Sequence, residues 1–220
     1  MTTRTSSARW LILMVLCTFA LSAAAQKGAD QINVNGQLVL AAKFGNTGRV
    51  ATLLKEGAAV NSRDRNGDTP LNMAAAKGNT ELAMLLLQAG PDVNLPNLSG
   101  VTPLMAASFA GKPDIVQALL AAGARTEPQD RVKKTAATYA AAQGCTQCLE
   151  ALSRAGAPLD VRLDGGLTLL MWAAGYGRDE TVRYLLQHGV DPALRDARGK
   201  TAEDIARENG HTAVAQALRR

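Results

Sequence analysis

The amino-acid sequence predicts an all-α fold, a solenoid of six helix–turn–helix units of 33 residues joined by short β-turns. The first observation is the phrase Thr69-Pro70-Leu71, which returns 33 residues later at Thr102. The second is a leucine that holds one offset in all six units, at Leu53, Leu86, Leu119, Leu152, Leu185 and Leu218. The third is a glycine at another offset, at Gly57, Gly90, Gly123, Gly156 and Gly189. A constant period of this length, without insertions, is the signature of a stacked repeat protein.

One unit contains the signals for two short helices. Thr69 carries a hydroxyl that can cap a helix, and Pro70 follows at the first helical position, where no amide hydrogen is needed. Gly78 can adopt the left-handed conformation that ends this helix. A second helix is expected from about Thr80 to Gln88, with leucines along one face. Because one such pair cannot bury its apolar face alone, neighbouring units must stack.

The period and the Thr-Pro-Leu-x-x-Ala phrase closely resemble the ankyrin repeat. The resemblance covers nearly all of residues 31–220 and implies six repeats, near residues 34–66, 67–99, 100–132, 133–165, 166–198 and 199–220. The first unit lacks the Thr-Pro pair, and the last carries charged residues on its first helix, such as Glu203 and Arg207. Both departures are typical of terminal repeats, which face water on one side.

Residues 1–25 have the features of a cleavable secretory signal peptide. Two arginines precede an apolar run from Trp10 to Leu21, and small residues follow it, so cleavage is expected after Ala25. An uncleaved membrane anchor is the alternative, but the run is shorter than the roughly 20 residues that a membrane span needs. We therefore expect a mature ankyrin-repeat domain, residues 26–220, that is periplasmic or secreted and has no membrane span.

The composition argues against several classes of function. Cleavage would lower Lys and Arg from 24 to 22 against 19 Asp and Glu, so the net charge would fall from +5 to +3. This charge is too small and too dispersed for a nucleic-acid-binding surface. The repeats and a short lead-in use the whole mature chain, so we expect no catalytic domain, no enzymatic activity, no cofactor and no metal site. His188 and His211 are distant in sequence, and both occupy positions where ankyrin repeats commonly carry histidine.

Cys145 and Cys148 form a Cys-x-x-Cys motif at the predicted start of a helix in the fourth unit. Cys145 has an exposed offset and Cys148 an inward one, and two residues three apart on a helix lie within disulfide range. Three interpretations stay open: a local disulfide, a buried thiol beside an exposed one, or a redox-active pair at a helix N-terminus. The motif has no thioredoxin-like βαβ context, and it lacks two of the ligands of a structural zinc site.

The boundary before the fourth unit is basic, with Arg125, Arg131, Lys133 and Lys134. Lys133 stands at the offset where four other units carry glycine. These cations either contact an acidic partner or belong to a solvated, irregular turn.

Aromatic residues near the ends of the first helices predict a binding surface. Phe44, Phe109 and Tyr176 lie just before the glycine that ends the helix, where the core needs no large side chain. The resemblance to ankyrin repeats places these positions and the turn tips on a concave binding face; packing against the adjacent turn is the alternative. Tyr139 and Trp172 are interpreted as mostly core. The predicted partner-binding residues are Phe44, Arg65, Asn66, Asp68, Lys77, Leu98, Ser99, Val101, Phe109, Arg131, Lys134, Leu167, Tyr176, Arg198 and Lys200.

These observations predict a monomeric protein-binding module, exported from a bacterial cell, that recognises a partner protein through a preformed concave surface. Two other functions stay open. One is a thiol–disulfide redox protein that uses Cys145 and Cys148, and the other is a dedicated inhibitor or immunity partner of an exported enzyme. A repeat fold hosts many unrelated partners, so the fold does not name this one.

Overall fold

Helix pairs follow one another along the whole described part of the chain. The computed structural model describes residues 33–219, and within that range it contains twelve helices and no strand. The predicted signal peptide, residues 1–25, lies outside the described residues. The helices are α1 (33–44), α2 (Thr47–Lys55), α3 (Pro70–Lys77), α4 (Thr80–Gln88), α5 (Pro103–Phe109), α6 (Pro113–Ala121), α7 (Ala136–Gln143), α8 (Thr146–Arg154), α9 (Leu169–Gly175), α10 (Asp179–Gln187), α11 (Ala202–Glu208) and α12 (Thr212–Leu218). This arrangement confirms the all-α repeat fold that the 33-residue period predicts.

The helices are arranged in two layers. From α3 to α11, each odd-numbered helix packs against the next odd-numbered helix. The even-numbered helices from α2 to α12 pack against one another in the same way. Each odd helix also contacts the even helix that follows it, as in α3 with α4 and α5 with α6. The apolar core lies between the layers and runs along the stack, because every unit completes the core of its neighbours.

The repeated residues occupy the positions that the sequence pattern predicts. Leu53 and its equivalents up to Leu185 are completely buried, and Leu218 in the last unit is 8% exposed. Ala74 and Ala75 are also completely buried, on the odd-helix side of the core. Side chains this small allow neighbouring odd-numbered helices to approach closely. A larger side chain there would overpack the contact.

The first helix of each regular unit begins at a threonine cap. In α3, the Thr69 hydroxyl accepts a hydrogen bond from the backbone N–H of Asn72, and Pro70 holds the first helical position. The helix ends at Gly78, whose φ of 64° is in the left-handed region. Thr102, Thr135, Thr168 and Thr201 cap the later helices in the same way. The predicted start and stop signals of the unit are therefore confirmed.

Most turns between units are stabilised by a polar side chain that the sequence interpretation did not single out. In four of the five turns, one side-chain oxygen accepts hydrogen bonds from the backbone N–H groups two and four residues later. The residues that do this are Asp64, Asn97, Asp130 and Asp196. Leu163 has the equivalent offset and no side-chain acceptor, and a single 3-10 turn, Asp164–Gly166, follows it.

Backbone hydrogen bonds join most neighbouring turn tips. The N–H of Leu98 donates to the carbonyl of Asn66 at 2.9 Å, and the N–H of Arg131 donates to Ser99 at 3.0 Å. Ala197 donates to Gly165 at 2.7 Å. Among the described residues, no backbone hydrogen bond joins the turn at 130–134 to the turn at 163–167. The series of turn-to-turn bonds is therefore interrupted once, between the fourth and fifth units.

Lys133 has the backbone conformation of the glycine that it replaces. Its φ is 62°, and it is the one non-glycine residue with a positive φ within residues 33–219. Its N–H donates to the carbonyl of Asp130 at 3.0 Å, as the N–H of Gly67 does to Asp64. The turn is therefore regular in its internal hydrogen bonding, and its exposed residues agree with the interpretation of a solvated turn.

Candidate partner-binding face

Four aromatic side chains form a row of two pairs across the odd-numbered helices. Phe109 on α5 meets Tyr139 on α7 edge to face, with ring centroids 5.7 Å apart. Trp172 on α9 stacks with Tyr176, which ends that helix, at 6.2 Å. We call these four residues the aromatic row. It exists because α5, α7 and α9 pack side by side, which brings residues of three consecutive units into one surface.

A lysine joins the two halves of the aromatic row. The ammonium nitrogen of Lys134 lies 4.5 Å from the centroid of the Trp172 ring and 5.6 Å from that of Tyr139. Both distances are within the range of a cation–π interaction. Lys134 forms no salt bridge with any residue between 33 and 219. Its positive charge is therefore held over the rings and not neutralised by a neighbouring carboxylate.

Two surface pockets flank this lysine. The first has a volume of about 240 Å³ and is almost entirely apolar, lined by Ala76, Val101, Met105, Ala106, Phe109 and Tyr139. The second has a volume of about 320 Å³ and is lined by Leu167, Met171, Trp172, Gly175, Tyr176, Arg198, Ile205 and Asn209. A Cβ atom at Gly175 would approach the Ile205 methyl group to 3.1 Å, so glycine keeps the second pocket open.

The carboxylate beneath the row is fully occupied. Asp130 is 6% exposed, and one of its oxygens accepts hydrogen bonds from the backbone N–H groups of Val132 and Lys134. Its other oxygen accepts a hydrogen bond from the Tyr139 hydroxyl. Burial, together with this bond and the nearby negative charge, raises the pKa of Tyr139 far above its ordinary value. The tyrosine therefore stays protonated and remains a donor.

A carboxylate also accepts hydrogen bonds from its own turn at Asp196, before the last unit. The Asp196 carboxylate accepts hydrogen bonds from the backbone N–H groups of Lys200 and Arg198 and from the Arg198 guanidinium. The backbone N–H of Lys200 is the main cause that lowers the pKa of Asp196. Arg198 is thereby fixed at the edge of the second pocket, with its guanidinium paired with the Asp196 carboxylate at 2.7 Å.

The predicted partner-binding residues all lie on the surface, in two groups. Those that are exposed are Phe44, Arg65, Asn66, Lys77, Leu98, Ser99, Phe109, Arg131, Tyr176 and Arg198; those that are half-buried are Asp68, Val101, Lys134, Leu167 and Lys200. The structure brings together the members around the two pockets, namely Val101, Phe109, Lys134, Leu167, Tyr176 and Arg198. Phe44 is 76% exposed, but no ring contact joins it to the aromatic row within the described residues.

Tyr139 and Trp172 pack partly buried against the core, as the sequence interpretation expects in part, and they also line this face, which it did not predict. Both are half-buried, and each lines one of the two pockets. The signal that could have found them is their spacing, because residues 139 and 172 share one offset in adjacent units. Two large aromatics at one offset must lie side by side in a stack of this kind. A side chain as small as alanine would have been enough to close the core at this offset.

The described residues offer no alternative site of metal or histidine chemistry. No group of three or more His, Cys, Asp or Glu side chains between residues 33 and 219 is arranged to hold a metal ion. His188 bonds through Nδ1 to the carbonyl of Tyr184, and the ring of His211 covers Gly177. Both histidines therefore have local structural contacts. No helix in the described range is both long enough and apolar enough to span a membrane.

The two cysteines are joined. Cys145 and Cys148 form a disulfide with an S–S distance of 2.05 Å, at the start of α8. Of the three interpretations of the motif, the structure excludes a pair of free thiols in this state.

Comparison with known proteins agrees with the architecture. A solved structure, that of the ankyrin repeat protein EF0377, superposes with a TM-score of 0.75 at 28% sequence identity, covering 84% of this chain and 98% of that chain. Short stretches also match larger animal proteins. They are a homologue of transient receptor potential channel subfamily A member 1 from Caenorhabditis elegans (51% identical over 51 residues), the E3 ubiquitin-protein ligase hecd-1 from the same organism (50% over 52) and a human espin-like protein (48% over 54).

These three matches cover 22–24% of this chain and only 2–5% of each relative, so they reflect shared repeats and not a shared whole protein. The family model for ankyrin repeats (three copies) matches twice, over residues 38–130 and 137–220. Together these matches cover most of the chain. Because the sequence repeats, the helices pair and this family model matches most of the chain, the chain belongs to the ankyrin-repeat family.

Proposed function

We propose that this chain is an exported binding module that holds one segment of a partner protein across the aromatic row. Ankyrin repeats are protein-interaction modules, and the proposal adds the face, the kind of segment and the compartment. The observation that carries it is the pair of pockets, one apolar and one largely apolar, on either side of a lysine without a salt bridge.

The exposure of the aromatic row supports a binding role. Phe109 is 61% exposed and Tyr176 is 52% exposed, although both sit on rigid helices. Aromatic residues on a preformed surface make good anchors because they bury a large area at a small loss of conformational entropy. The core does not require them, since the equivalent offsets carry Ala76, Ala142 and Gly175, or Lys77 and Gln143. Their exposure is explained by contact with a second protein.

The charge of the face supports a choice of segment. Lys134 lies between the pockets, and Arg198 lies at the edge of the second one. The nearby carboxylates of Asp130 and Asp196 are engaged with backbone and side-chain donors of their own turns. We therefore expect a partner segment with two apolar or aromatic side chains and an acidic residue between them. Electrostatic complementarity of this kind favours selectivity and fast association more than raw affinity.

The compartment is proposed from two observations. Residues 1–25 have the pattern of a secretory signal, and the chain carries a disulfide of the kind that persists outside the cytoplasm. We propose that the mature protein acts as a monomer in the periplasm or outside the cell. Protease protection of the protein in intact cells, lost when the outer membrane is permeabilised, would place it in the periplasm.

A crosslinked pull-down from the exporting cell tests the face. The bait is compared with a Phe109→Ala, Tyr176→Ala double variant and with a Met84→Ala control, which truncates an exposed apolar residue on the even-numbered helix α4. The double variant should lose the captured protein, and the control should keep it. Loss of one hot-spot anchor costs at least about 2 kcal/mol, which corresponds to an increase of about 30-fold in Kd.

The charge is tested on the partner that the pull-down identifies. Lys134→Met keeps an unbranched side chain on the rings but removes the ammonium group. This variant should bind more weakly, and its affinity should depend less on salt concentration than that of the wild type. If the double variant is folded, as judged by circular dichroism, and still captures the same protein, the aromatic row is not the binding face.

A further inference from the structure

The disulfide at the start of α8 has two sulphurs with unequal access to solvent. Cys145 and Cys148 are bonded, with their Cα atoms 5.2 Å apart. Cys148 is 0% exposed and belongs to the apolar core, whereas Cys145 is only partly buried. A thiol that approaches from solvent therefore meets the sulphur of Cys145 first. The bond can be attacked from one side only.

The fold does not require this disulfide. Asn46 and Asn79 hold the position of Cys145 in earlier units, and their side-chain oxygens accept the capping hydrogen bond that its sulphur accepts. The helices that follow Lys112 and Arg178 have no side-chain capping bond at this position. A disulfide between residues three apart also closes a very short loop, so it restricts the unfolded chain less than a longer loop would. Helix capping therefore does not explain the pair.

An open groove gives access to Cys145. It has a volume of about 280 Å³, and Gly111, Pro113, Gln143 and Glu180 line it together with residues 144–147. The groove lies between the turns of three consecutive units, away from the aromatic row, none of whose residues line it. A groove of this size accommodates a side chain of a second protein. A partner cysteine can therefore reach the exposed sulphur without unfolding of the stack.

Reduction would leave a negative charge at Cys145 in a favourable position. The sulphur accepts a hydrogen bond from the backbone N–H of Cys148 at 3.2 Å. It caps a helix of nine residues, so the positive end of the helix dipole points at it. Both interactions stabilise a thiolate at this sulphur. Cys145 is thus the better entry and exit point of the pair, and Cys148 is the protected member.

We propose that the Cys145–Cys148 disulfide is a thiol–disulfide exchange site, that its substrate is a protein dithiol, and that exchange enters at Cys145. This inference does not depend on the aromatic row or on its partner. The groove at Cys145 stays accessible when a partner segment occupies the aromatic row, because the two sites share no lining residue.

The reaction has two steps. A thiolate of the partner, formed when its thiol releases a proton, attacks the sulphur of Cys145. A bond forms between these two sulphurs, and the Cys145–Cys148 bond breaks, leaving its electron pair on Cys148, which takes up one proton in exchange for the one released. The second thiolate of the partner then attacks the partner sulphur of the mixed disulfide, and Cys145 departs as a thiolate. The partner loses two electrons and becomes a disulfide, while the pair gains them and becomes two thiols. The reverse sequence oxidises the pair again.

Single-cysteine variants of the full-length protein test the direction of entry. Cys148→Ser leaves Cys145 as the reactive thiol, and Cys145→Ser leaves Cys148; each variant also carries Cys17→Ser. Both are reduced and incubated with glutathione disulfide, and mixed-disulfide formation is followed by mass spectrometry. In the folded protein the Cys148→Ser variant should react at least about 100-fold faster than the Cys145→Ser variant, because only its thiol is accessible. In urea the two rates should become equal. Equal rates in the folded state would overturn the proposal.

A comparison of folded and unfolded Cys145 tests its activation. At pH about 6.5 an ordinary thiol is about 1% ionised. If the cap raises the thiolate fraction tenfold, the accompanying fall in nucleophilicity is about threefold, so folded Cys145 should react about threefold faster than the same thiol in urea. A slower rate in the folded state contradicts an exchange site and indicates a structural disulfide. As a second measurement, the Cys17→Ser protein is equilibrated with a mostly reduced glutathione buffer; a measurable dithiol fraction supports the proposal, and a pair that stays fully oxidised overturns it.

Discussion

Replacement of Tyr139 by phenylalanine tests how strongly one buried hydrogen bond holds the turn beneath the aromatic row. The change removes the hydroxyl that donates to Asp130 and leaves the ring contacts with Phe109 and Lys134 in place. Asp130 is only 6% exposed, so water can replace the lost donor only poorly. A hydrogen bond to a charged group contributes about 1.5–3 kcal/mol. Because the other oxygen of Asp130 keeps both of its backbone donors, we expect a loss near the lower end, about 1.5–2 kcal/mol.

Thermal unfolding followed by circular dichroism measures this loss. For a chain of this length, 1 kcal/mol shifts Tm by about 2–4 °C, so the Tyr139→Phe variant should melt roughly 3–8 °C below the wild type. Tyr176→Phe is the matched control, since its exposed ring leaves its hydroxyl open to water, and it should stay within about 0.5 kcal/mol. A double-mutant cycle with Asp130→Asn should give a coupling energy of at least about 1 kcal/mol. A Tyr139→Phe variant that melts with the control would refute the reasoning.

Three further predictions concern pH and backbone strain. The raised pKa of Tyr139 means that its hydroxyl contributes stability below the ordinary tyrosine pKa of about 10 and loses it as the pH rises above that value, so wild-type Tm should fall faster than that of Tyr139→Phe between about pH 10 and 12. Gly100→Ala should lower the free energy of unfolding by at least about 2 kcal/mol, because the new Cβ would lie 3.0 Å from the Asp130 Cα. Gly199→Ala has no atom within 4 Å of its new Cβ, so it should cost only the backbone strain of about 1–2 kcal/mol. Equal Tm values for the two variants would contradict this. Lys133→Gly should raise the free energy of unfolding by about 0.5–1 kcal/mol, because the relief of left-handed backbone strain exceeds the entropy cost of glycine. A lower Tm for this variant would show that the lysine is not strained.

The sequence predicted the parts of the fold that depend on local chemistry. Thr69 caps and Gly78 ends a helix through their own backbone neighbours, so both could be identified without knowledge of the tertiary structure. The buried leucines follow in the same way, because identical units must present the same side to the core. The inward position of Cys148 and the more exposed one of Cys145 were also predicted from their offsets, and the structure agrees.

The candidate face could be predicted only in part, because it depends on contacts between units. Phe109 and Tyr176 were identified as exposed aromatics, but Tyr139 and Trp172 share an offset with Met73, which is buried. Whether a large ring at that offset is buried depends on how much of it the adjacent helices cover. The place of Lys134 over two rings depends on side-chain packing that no local pattern contains. The missed turn role of Asp130 was in principle readable, since Asp or Asn recurs at that offset in four units.

The missing turn-to-turn hydrogen bond between the fourth and fifth units divides the stack mechanically. On either side of it, backbone bonds tie neighbouring turns together, as Arg131 is tied to Ser99 and Ala197 to Gly165. At the division, Lys134 reaches across to Trp172, so a side chain, with several rotatable bonds, replaces the backbone link. The stack is therefore expected to bend more easily at this point than at its other turn contacts. The two pockets lie on opposite sides of that point, so a bend there would change the distance between them, and a segment seated in both would favour one angle.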